Sequence, residues 1–251
     1  MMEEKEAQGL YMPRPAAPLL LEVEDLYAVR GSQEGGFKVH LPQLRLVRGE
    51  VAAIVGESGC GKSTLLESLG LLLQPQRIGR FMLGQPAMNL AVDVLAGHES
   101  VLARVRAQQM GFVLQNGGLL PYLSVRENIA LPRRMLGLPL SVDFVEEAID
   151  VLRLRHLLNS APSALSIGER QRVACVRALA HQPQVLLADE PTAALDPTTA
   201  RTLFGLLLDL VQRLGISALV VSHDWSLVRS FGLTRYEAVT VQRESRFGRH
   251  D

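Results

Sequence analysis

The feature that most constrains this chain is a glycine-rich segment at residues 56–64, which reads GESGCGKST. An apolar run, VAAIVG at residues 51–56, precedes it, and an apolar-periodic stretch at residues 62–72 follows it. Glycines in such a loop let backbone N–H groups curl around phosphate oxygens, while Lys62 adds a point charge and the following helix N-terminus adds a positive dipole. The segment therefore predicts a strand, a loop and a helix that bind phosphate together, with the Ser63 hydroxyl on Mg²⁺.

Composition places the chain among globular proteins with a large buried core. Of its 251 residues, 47% are hydrophobic, which argues against general disorder. Because 26 Lys and Arg balance 26 Asp and Glu, we expect no nucleic-acid partner bound mainly through charge. The cysteines, Cys60 and Cys175, are too few for a disulfide framework and favour a reducing compartment. No apolar run reaches the roughly 18 residues of a membrane helix, and the N-terminus does not resemble a signal peptide.

The two ends of the chain are predicted to lie outside the folded domain. Residues 1–18 are rich in proline and poor in apolar side chains, which predicts a flexible tail, and residues 241–251 are predicted to form a C-terminal tail. Strand-like alternation at residues 19–26 and 37–46 flanks a turn at residues 31–36. This pattern predicts an antiparallel pair of strands at the start of the domain.

The remaining apolar runs predict an α/β core. Buried strands are expected at residues 184–189 and 216–222, because continuous apolar runs suit a parallel sheet covered by helices on both faces. Helical patterns before the first of these strands predict a helical subdomain, about residues 117–180, inserted into the core. The helices are expected at residues 62–72, 141–158 and 166–181, and in a segment capped by Asp196.

A second chemical motif stands at the end of the predicted strand at residues 184–189, where VLLADEP places Asp189 and Glu190. A carboxylate at the C-terminal end of such a strand faces the crevice in which α/β sheets bind ligands. Asp189 is therefore expected to hold Mg²⁺ through water, and Glu190 to polarise an attacking water. Taken alone, the pair is equally typical of a solvated acidic turn. In a chain that also contains a phosphate-binding loop, this acidic pair is expected to act together with that loop.

A third motif, LSIGERQR at residues 165–172, opens a predicted helix in which Ser166 and Glu169 fit a capping box. A serine hydroxyl and a glycine backbone at a helix start also form an anion site. In chain order, GESGCGKST, the lone Gln115 in GFVLQN, LSIGERQRVACVRALA, VLLADEPTAALD and VSHD resemble the nucleotide-binding subunit of an ATP-binding cassette (ABC) transporter. The resemblance covers about residues 19–240.

This resemblance implies a P-loop NTPase cassette at residues 19–240, with a parallel-sheet core, an N-terminal antiparallel β subdomain and the inserted helical subdomain. It implies ATP and Mg²⁺ as ligands and ATP hydrolysis as the activity. Two copies of the chain would join head to tail, each ATP lying between the phosphate loop of one copy and the helix start at Ser166 of the other. The implied phosphate cradle consists of Gly56, Ser58, Gly59, Cys60, Gly61, Lys62, Ser63 and Thr64.

The resemblance also implies roles for side chains outside the cradle. Gln115 would sense the γ-phosphate through Mg²⁺ and relay to the membrane partner. Glu190 would be the general base, and His223 would contact the γ-phosphate and orient Glu190 and the water; Lys62 completes the catalytic set. Asp196 would close the contact between the copies. The residues implied to face the γ-phosphate of the opposite copy are Ser166, Gly168 and Glu169.

The chain departs from the family pattern at several positions. Ile167 stands where glycine is usual in the signature, and Ala193 stands where serine is common. The position of the aromatic that stacks on adenine falls by spacing on Arg30, with Tyr27 three residues earlier. The adenine contact is therefore the Arg30 guanidinium or the Tyr27 ring, or the base is held loosely. Cys60 is either a small filler or, because the loop and helix dipole favour a thiolate, a thiol whose oxidation blocks ATP.

LADEPT and GFVLQNGGLLPYLSVRENIALP are most similar to the lipoprotein-releasing and macrolide-exporting group of ABC ATPases. That similarity implies a separate transmembrane permease as partner, with this chain in the cytoplasm at the inner face of the cell membrane. Residues 115–135 would form the groove that receives the permease. The apolar residues there either contact the permease or pack the helical subdomain, and they are Leu119, Leu120, Tyr122 and Leu123.

Other functions remain open at the level of sequence. A soluble ABC ATPase of the iron–sulfur assembly type has the same single-cassette architecture, and an importer ATPase shares the motifs. A degenerate cassette that binds nucleotide without hydrolysing it is suggested by Arg30 and Ile167. The retained Lys62, Glu190 and His223 favour hydrolysis instead.

Overall fold

The computed structural model describes residues 17–32 and 35–250. The predicted N-terminal tail lies outside the described residues except for residues 17 and 18, and the first strand begins at Leu19. The strands are β1 (Leu19–Arg30), β2 (Phe37–Val47), β3 (Val51–Val55), β4 (Arg80–Leu83), β5 (Met88–Asn89), β6 (Met110–Val113), β7 (Val185–Asp189), β8 (Ser217–Ser222), β9 (Thr234–Val241) and β10 (Glu244–His250). The helices are α1 (Lys62–Leu69), α2 (Ala91–Ala96), α3 (Glu99–Gln109), α4 (Val125–Met135), α5 (Asp143–Val151), α6 (Ile167–Leu179), α7 (Pro197–Leu214) and α8 (Trp225–Ser230), with 3₁₀ turns at Arg155–Leu157 and Pro162–Ala164.

The strands of the described residues join one sheet in the order β5-β4-β1-β2-β10-β9-β3-β8-β7-β6. In one half, β6, β7, β8, β3 and β9 run parallel to one another. In the other half, β1 pairs antiparallel with β2 and with β4. The expected fold class, a parallel-sheet core with an antiparallel N-terminal part, is confirmed.

Strand β3 lies between two hydrophobic cores. Its sequence, VAAIV, is buried throughout. Val51, Ala53 and Val55 belong to the core formed with α4 to α7, whereas Ala52 and Ile54 belong to the core formed with α1, β1 and β2. Successive side chains of a strand point to opposite faces, so a strand covered on both faces must be apolar at every position. The continuous apolar run in the sequence follows from this placement.

Helices α4, α5 and α6 lie between β6 and β7, within the segment predicted to be helical. Helix α5 is shorter than the predicted residues 141–158, because Arg153 has a φ of +54° and a residue in that region cannot continue a right-handed helix. The buried amide of Asn128 in α4 accepts a hydrogen bond from the Leu120 N–H and donates to the carbonyls of Leu120 and Leu123. It thereby fixes the loop that leads into α4.

Residues 244–250 form strand β10, so the prediction of a C-terminal tail at residues 241–251 is wrong. The strand pairs antiparallel with β9 and parallel with β2, and the Phe247 ring is fully buried. Its sequence, ESRFGRH, contains a single large apolar residue, so it carries no strand-like alternation. The strand is stabilised by pairing with β2, which is distant in the chain, and local periodicity does not report such pairing.

Phe247→Ala should lower the free energy of unfolding by about 3–5 kcal/mol, because truncating a buried phenylalanine leaves a cavity. The control is Val241→Ala at the end of β9, where the side chain is 67% exposed. It should change stability by less than about 0.5 kcal/mol. Urea unfolding followed by circular dichroism measures both variants, and equal midpoints would show that β10 does not stabilise the fold.

Candidate functional site

The segment between β3 and α1 forms a loop that folds back over the start of the helix. Gly59 and Gly61 have φ values of +80° and +87°, a backbone region that favours glycine. A Cβ at Gly61 would lie 2.6 Å from Cγ2 of Val39, so a larger residue would clash there. Lys62 reaches back into the loop, and its Nζ donates to the carbonyls of Gly56 and Glu57 at 3.0 and 2.9 Å. The lysine is therefore held in place by the loop it follows.

This loop borders a cleft of about 430 Å³. The cleft brings together most of the predicted cradle with Gln115 and Glu190, which are distant in the sequence. Its lining residues are Arg30, Phe37, Ser58, Gly59, Gly61, Lys62, Ser63, Thr64, Gln115 and Glu190. A glycine-rich loop, a lysine and a helix N-terminus that converge on one space suit a polyphosphate.

Asp189 lies beside the loop because β7, which it ends, pairs in parallel with β8, and β8 pairs in parallel with β3. Its Oδ1 accepts a hydrogen bond of 3.2 Å from the hydroxyl of Ser63. Burial raises the pKa of Asp189, and the Ser63 hydrogen bond opposes that effect only in part. Hydroxyl and carboxylate oxygens are the hard ligands that Mg²⁺ prefers. The residues present therefore fit a magnesium ion.

Glu190 follows β7 in a left-handed backbone conformation, with φ of +46°. Its N–H donates to the carbonyl of Val221 in β8 at 3.1 Å. Its carboxylate is 19% exposed and lies between two nitrogens: Oε2 is 3.1 Å from Nδ1 of His223, and Oε1 is 3.9 Å from Nζ of Lys62. The histidine and the lysine thus fix the orientation of a carboxylate that still reaches the cleft.

Arg30 and Phe37 add a planar cation and an aromatic ring to the cleft. The register of β1 and β2 places them directly opposite each other, and Glu67 of α1 binds the Arg30 guanidinium with a shortest N–O distance of 2.7 Å. Tyr27, the other predicted adenine contact, does not line the cleft, because its ring lies against Arg77 at 5.4 Å. Phe37 was missed at the level of sequence because the adenine-stacking aromatic was sought only before the turn at residues 31–36. The predicted antiparallel pairing of the two strands across that turn could have identified Phe37, which lies opposite Arg30.

Cys60 is buried in the core and does not line the cleft. A Cβ at Gly56 would lie 2.6 Å from its Sγ, so the thiol fills the space that this glycine leaves. Burial is the main cause of a raised pKa for the Cys60 thiol, and it outweighs the opposing effect of Lys62. The prediction that the loop favours a thiolate here is therefore wrong.

The start of α6 carries Ser166, Gly168 and Glu169, which do not line the cleft of the same chain. The predicted capping box is present: Ser166 Oγ accepts from the Glu169 N–H at 3.3 Å, and Glu169 Oε2 accepts from the Ser166 N–H at 2.7 Å. Ile167, in the first helical turn, is 47% exposed. Asp196 caps α7 as predicted. The α6 start is thus a capped, accessible helix end.

Asp189→Asn should stabilise the nucleotide-free protein at pH 7. Because burial raises the pKa of this carboxyl above its usual 3.8, folding favours the neutral form, and keeping the group ionised costs folding free energy. That cost is present above the raised pKa and vanishes as the pH falls towards 3.8, where the unfolded chain is protonated as well. The stability gain of the variant should therefore shrink with falling pH, as measured by urea midpoints.

Asp224→Asn is the control for this prediction. Hydrogen bonds, first of all that from the Leu227 N–H, lower the pKa of the Asp224 carboxyl, so its ionised form stabilises the fold. Removing this charge should give no gain at pH 7. A loss of stability in Asp189→Asn at pH 7 would contradict the electrostatic account of the site.

Comparison with known proteins finds ATP-binding proteins of transport systems among the relatives of this chain. A family model described as ABC transporter matches residues 40–193. The lipoprotein-releasing system ATP-binding protein LolD of Paramagnetospirillum magneticum is 43% identical over 184 residues, 72% of this chain and 78% of that protein. A second LolD, from Rhodopirellula baltica, is 42% identical over 209 residues, 82% of this chain and 88% of that protein. A methionine import ATP-binding protein of Bacillus cereus is 35% identical over 213 residues, 84% of this chain and 59% of that protein.

Solved structures that resemble this chain are also those of ABC proteins. A dimeric ATP-binding cassette in a post-hydrolysis state, bound to ADP and Pi, matches with a TM-score of 0.74 and 28% identity, over 92% of this chain and 98% of that chain. A component of an ABC transporter complex of Clostridium perfringens matches with a TM-score of 0.73 and 26% identity, over 92% of this chain and 87% of that chain. The likeness therefore extends over nearly the whole of the fold.

Proposed function

We propose how this chain, which belongs to the ABC transporter family and is an ATP-binding and ATP-hydrolysing subunit, carries out its reaction. The observation that carries the proposal is the convergence of Lys62, Glu190 and His223 beside one glycine-rich loop. The loop binds the triphosphate of ATP through its backbone N–H groups, and Lys62 exchanges its carbonyl contacts for phosphate oxygens.

Ser63 and Asp189 are the proposed holders of Mg²⁺, together with Gln115, which lines the same cleft. When bound, the ion supplies positive charge against the phosphate oxygens. The hydrogen bond between Ser63 and Asp189 supports this assignment, because it brings a hydroxyl and a carboxylate oxygen to the same point at the helix N-terminus.

Glu190 is the proposed general base. Its carboxylate takes a proton from a water while the water oxygen bonds to the γ-phosphorus and the bond to the bridging oxygen breaks, leaving ADP and phosphate. His223 orients the carboxylate through Oε2, which leaves Oε1 on the side of Lys62. His223, which follows β8, and Lys62, which follows the loop after β3, thus orient the Glu190 carboxylate for proton transfer.

Two copies of the chain are proposed to join head to tail around the nucleotide. The start of α6 supports this arrangement, since Ser166, Gly168 and Glu169 lie outside the cleft of their own chain and are accessible to a second copy. A helix N-terminus is an anion site, so this end suits the γ-phosphate in the opposite cleft. Asp196 is proposed to lie in the contact between the copies.

The base of the nucleotide is proposed to stack against Arg30 and Phe37. Both line the cleft, and Glu67 holds the Arg30 guanidinium in one orientation. A planar guanidinium and an aromatic ring are both stacking surfaces for a base. The departure from the family aromatic at Arg30 is thereby compensated by Phe37 on the facing strand.

Glu190→Gln should lower ATP turnover by about 10²–10⁴-fold, because an amide cannot accept the proton that a general base removes. Binding of ATP should persist, since Lys62 and the loop are unchanged. Phosphate release at saturating ATP and equilibrium binding of a fluorescent nucleotide measure the two effects. The control is Glu147→Gln, which alters a surface carboxylate paired with Arg213 and should keep the wild-type rate.

Equal turnover by the wild type and Glu190→Gln would contradict hydrolysis through this carboxylate. A wild type that binds nucleotide but releases no phosphate would instead support the degenerate cassette that Arg30 and Ile167 suggest.

We further propose that the chain drives a separate transmembrane permease from the inner face of the cell membrane, as in the lipoprotein-releasing system that its relatives are named for. An apolar groove of about 450 Å³ is lined by Leu120, Leu131 and Met135, among others, and Met135 is 76% exposed. An apolar groove of this kind suits the apolar face of a partner helix. Tyr122 is exposed as well, whereas Leu119 packs against the core.

Among the described residues, none of the helices has both the length and the apolar character required to cross a lipid bilayer.

Met135→Glu should abolish co-purification of the permease from detergent-solubilised membranes, because the substitution places a charge in the apolar groove. ATP turnover of the separately purified subunit should stay unchanged, since Met135 does not line the nucleotide cleft. Val239→Glu is the control, because it places the same charge at another exposed apolar position, 62% exposed on β9. If Met135→Glu retains the permease as well as Val239→Glu does, the groove is not the docking site.

An importer is the second candidate, favoured by the similarity to a methionine import ATP-binding protein. The permease that co-purifies with the wild type distinguishes the two. A membrane protein with few spans and a large periplasmic domain supports lipoprotein-type extraction, whereas a many-span channel supports import. Purification without any membrane protein would favour the soluble iron–sulfur assembly type of ATPase.

A further inference from the structure

Helix α6 binds the loop that carries Gln115 through the backbone carbonyls of that loop. Nε2 of Gln171 donates to the carbonyl of Gln115 at 2.5 Å. The guanidinium of Arg177 donates to the carbonyls of Gly117 and Gly118, at 2.8 and 2.7 Å. Two side chains of one helix therefore fix three of the four carbonyls between residues 115 and 118.

The backbone of the loop is shaped for this contact. Gly117 and Gly118 have φ values of +71° and +59°, in the region that favours glycine. A Cβ at Gly117 would lie 3.5 Å from the carbonyl oxygen of Arg170 and 3.7 Å from the Cβ of Ala174, so the loop backbone runs close along the helix. Residues 171, 174 and 177 are three apart and share one side of α6, which presents both hydrogen-bonding side chains to the same stretch of loop.

The burial of Gln171 and Arg177 makes their hydrogen bonds to the loop important for holding it in place. Gln171 is buried and Arg177 is partly buried, and this burial lowers the pKa of the Arg177 guanidinium. A buried polar group that loses its partner keeps the full cost of desolvation, so these bonds hold the loop more firmly than exposed ones would. The side chain of Gln115 itself lines the nucleotide cleft.

We propose that Gln171 and Arg177 are positioning residues for Gln115: they hold its loop against α6 so that its amide faces the cleft. The inference rests on the proposed function, in which Gln115 takes part in holding Mg²⁺. Neither residue lines the nucleotide cleft, and both act on turnover only through Gln115.

The first test compares Gln171→Leu and Arg177→Met with the wild type. Each should lower kcat by about tenfold or more, because a displacement of about 1 Å in a catalytic constellation has effects of that size, while KM for ATP changes less than about twofold. Arg177→Lys, which keeps the charge and can reach a carbonyl, should recover part of the loss. The control is Arg155→Met, because Arg155 also donates to a backbone carbonyl, that of Glu146, but does not bind the loop.

The second test places Arg177→Met in a Gln115→Ala background. If Arg177 acts only through Gln115, the double variant should turn over within about twofold of Gln115→Ala alone. Losses that multiply would overturn the proposal, since they would show that Arg177 acts on the site independently or on the fold as a whole. An Arg155→Met variant that loses as much turnover as Arg177→Met would overturn it as well.

A third measurement does not depend on activity. Amide hydrogen exchange of residues 114–120 should accelerate at least about tenfold in Arg177→Met and stay at the wild-type rate in Arg155→Met, with α7 unchanged in both. Unchanged exchange in this loop would overturn the proposal. If the wild type and Glu190→Gln hydrolyse ATP equally, the proposed function fails, whereas the exchange rates still decide whether α6 holds the loop.

Discussion

Parallel hydrogen bonding joins β3 to β8 and β8 to β7, with Val55 opposite Ser222 and Asp189 opposite Val221. Because the strands run in the same direction, their carboxyl ends meet at one edge of the sheet. There β3 delivers the glycine-rich loop, β7 delivers the two carboxylates and β8 delivers His223. This pairing brings the loop, the two carboxylates and His223 together, since the carboxylates and His223 each lie more than one hundred residues after the loop in the chain.

The charge of Lys62 is satisfied before a ligand arrives. The side chain is buried, its Nζ is bound by two loop carbonyls, and Glu190 lies 3.9 Å away. A cation that is already withdrawn from water and oriented loses little hydration or rotamer freedom when a phosphate replaces the carbonyls. This local arrangement explains how a chain of zero formal net charge is suited to a polyanion.

Local sequence was sufficient to predict the loop, Asp189 and Glu190, because each sits at the end of an apolar run whose period and length are visible in the chain. It was insufficient for Phe37, whose place in the cleft follows from the register between β1 and β2. It was also insufficient for the thiol of Cys60, where burial outweighs the loop, and for β10, which depends on a distant partner strand. Contacts across the fold decide these features, and no local pattern carries them.

Strand β3 touches both hydrophobic cores, and the glycine-rich loop begins where it ends. A side chain that fits badly in either core therefore displaces the same strand, and with it the start of the loop. Close-packed interiors transmit such displacements and do not absorb them. Mutations that impair nucleotide binding can therefore fall at many more positions than the residues that line the cleft. These positions include core residues on both faces of the sheet that do not contact the nucleotide.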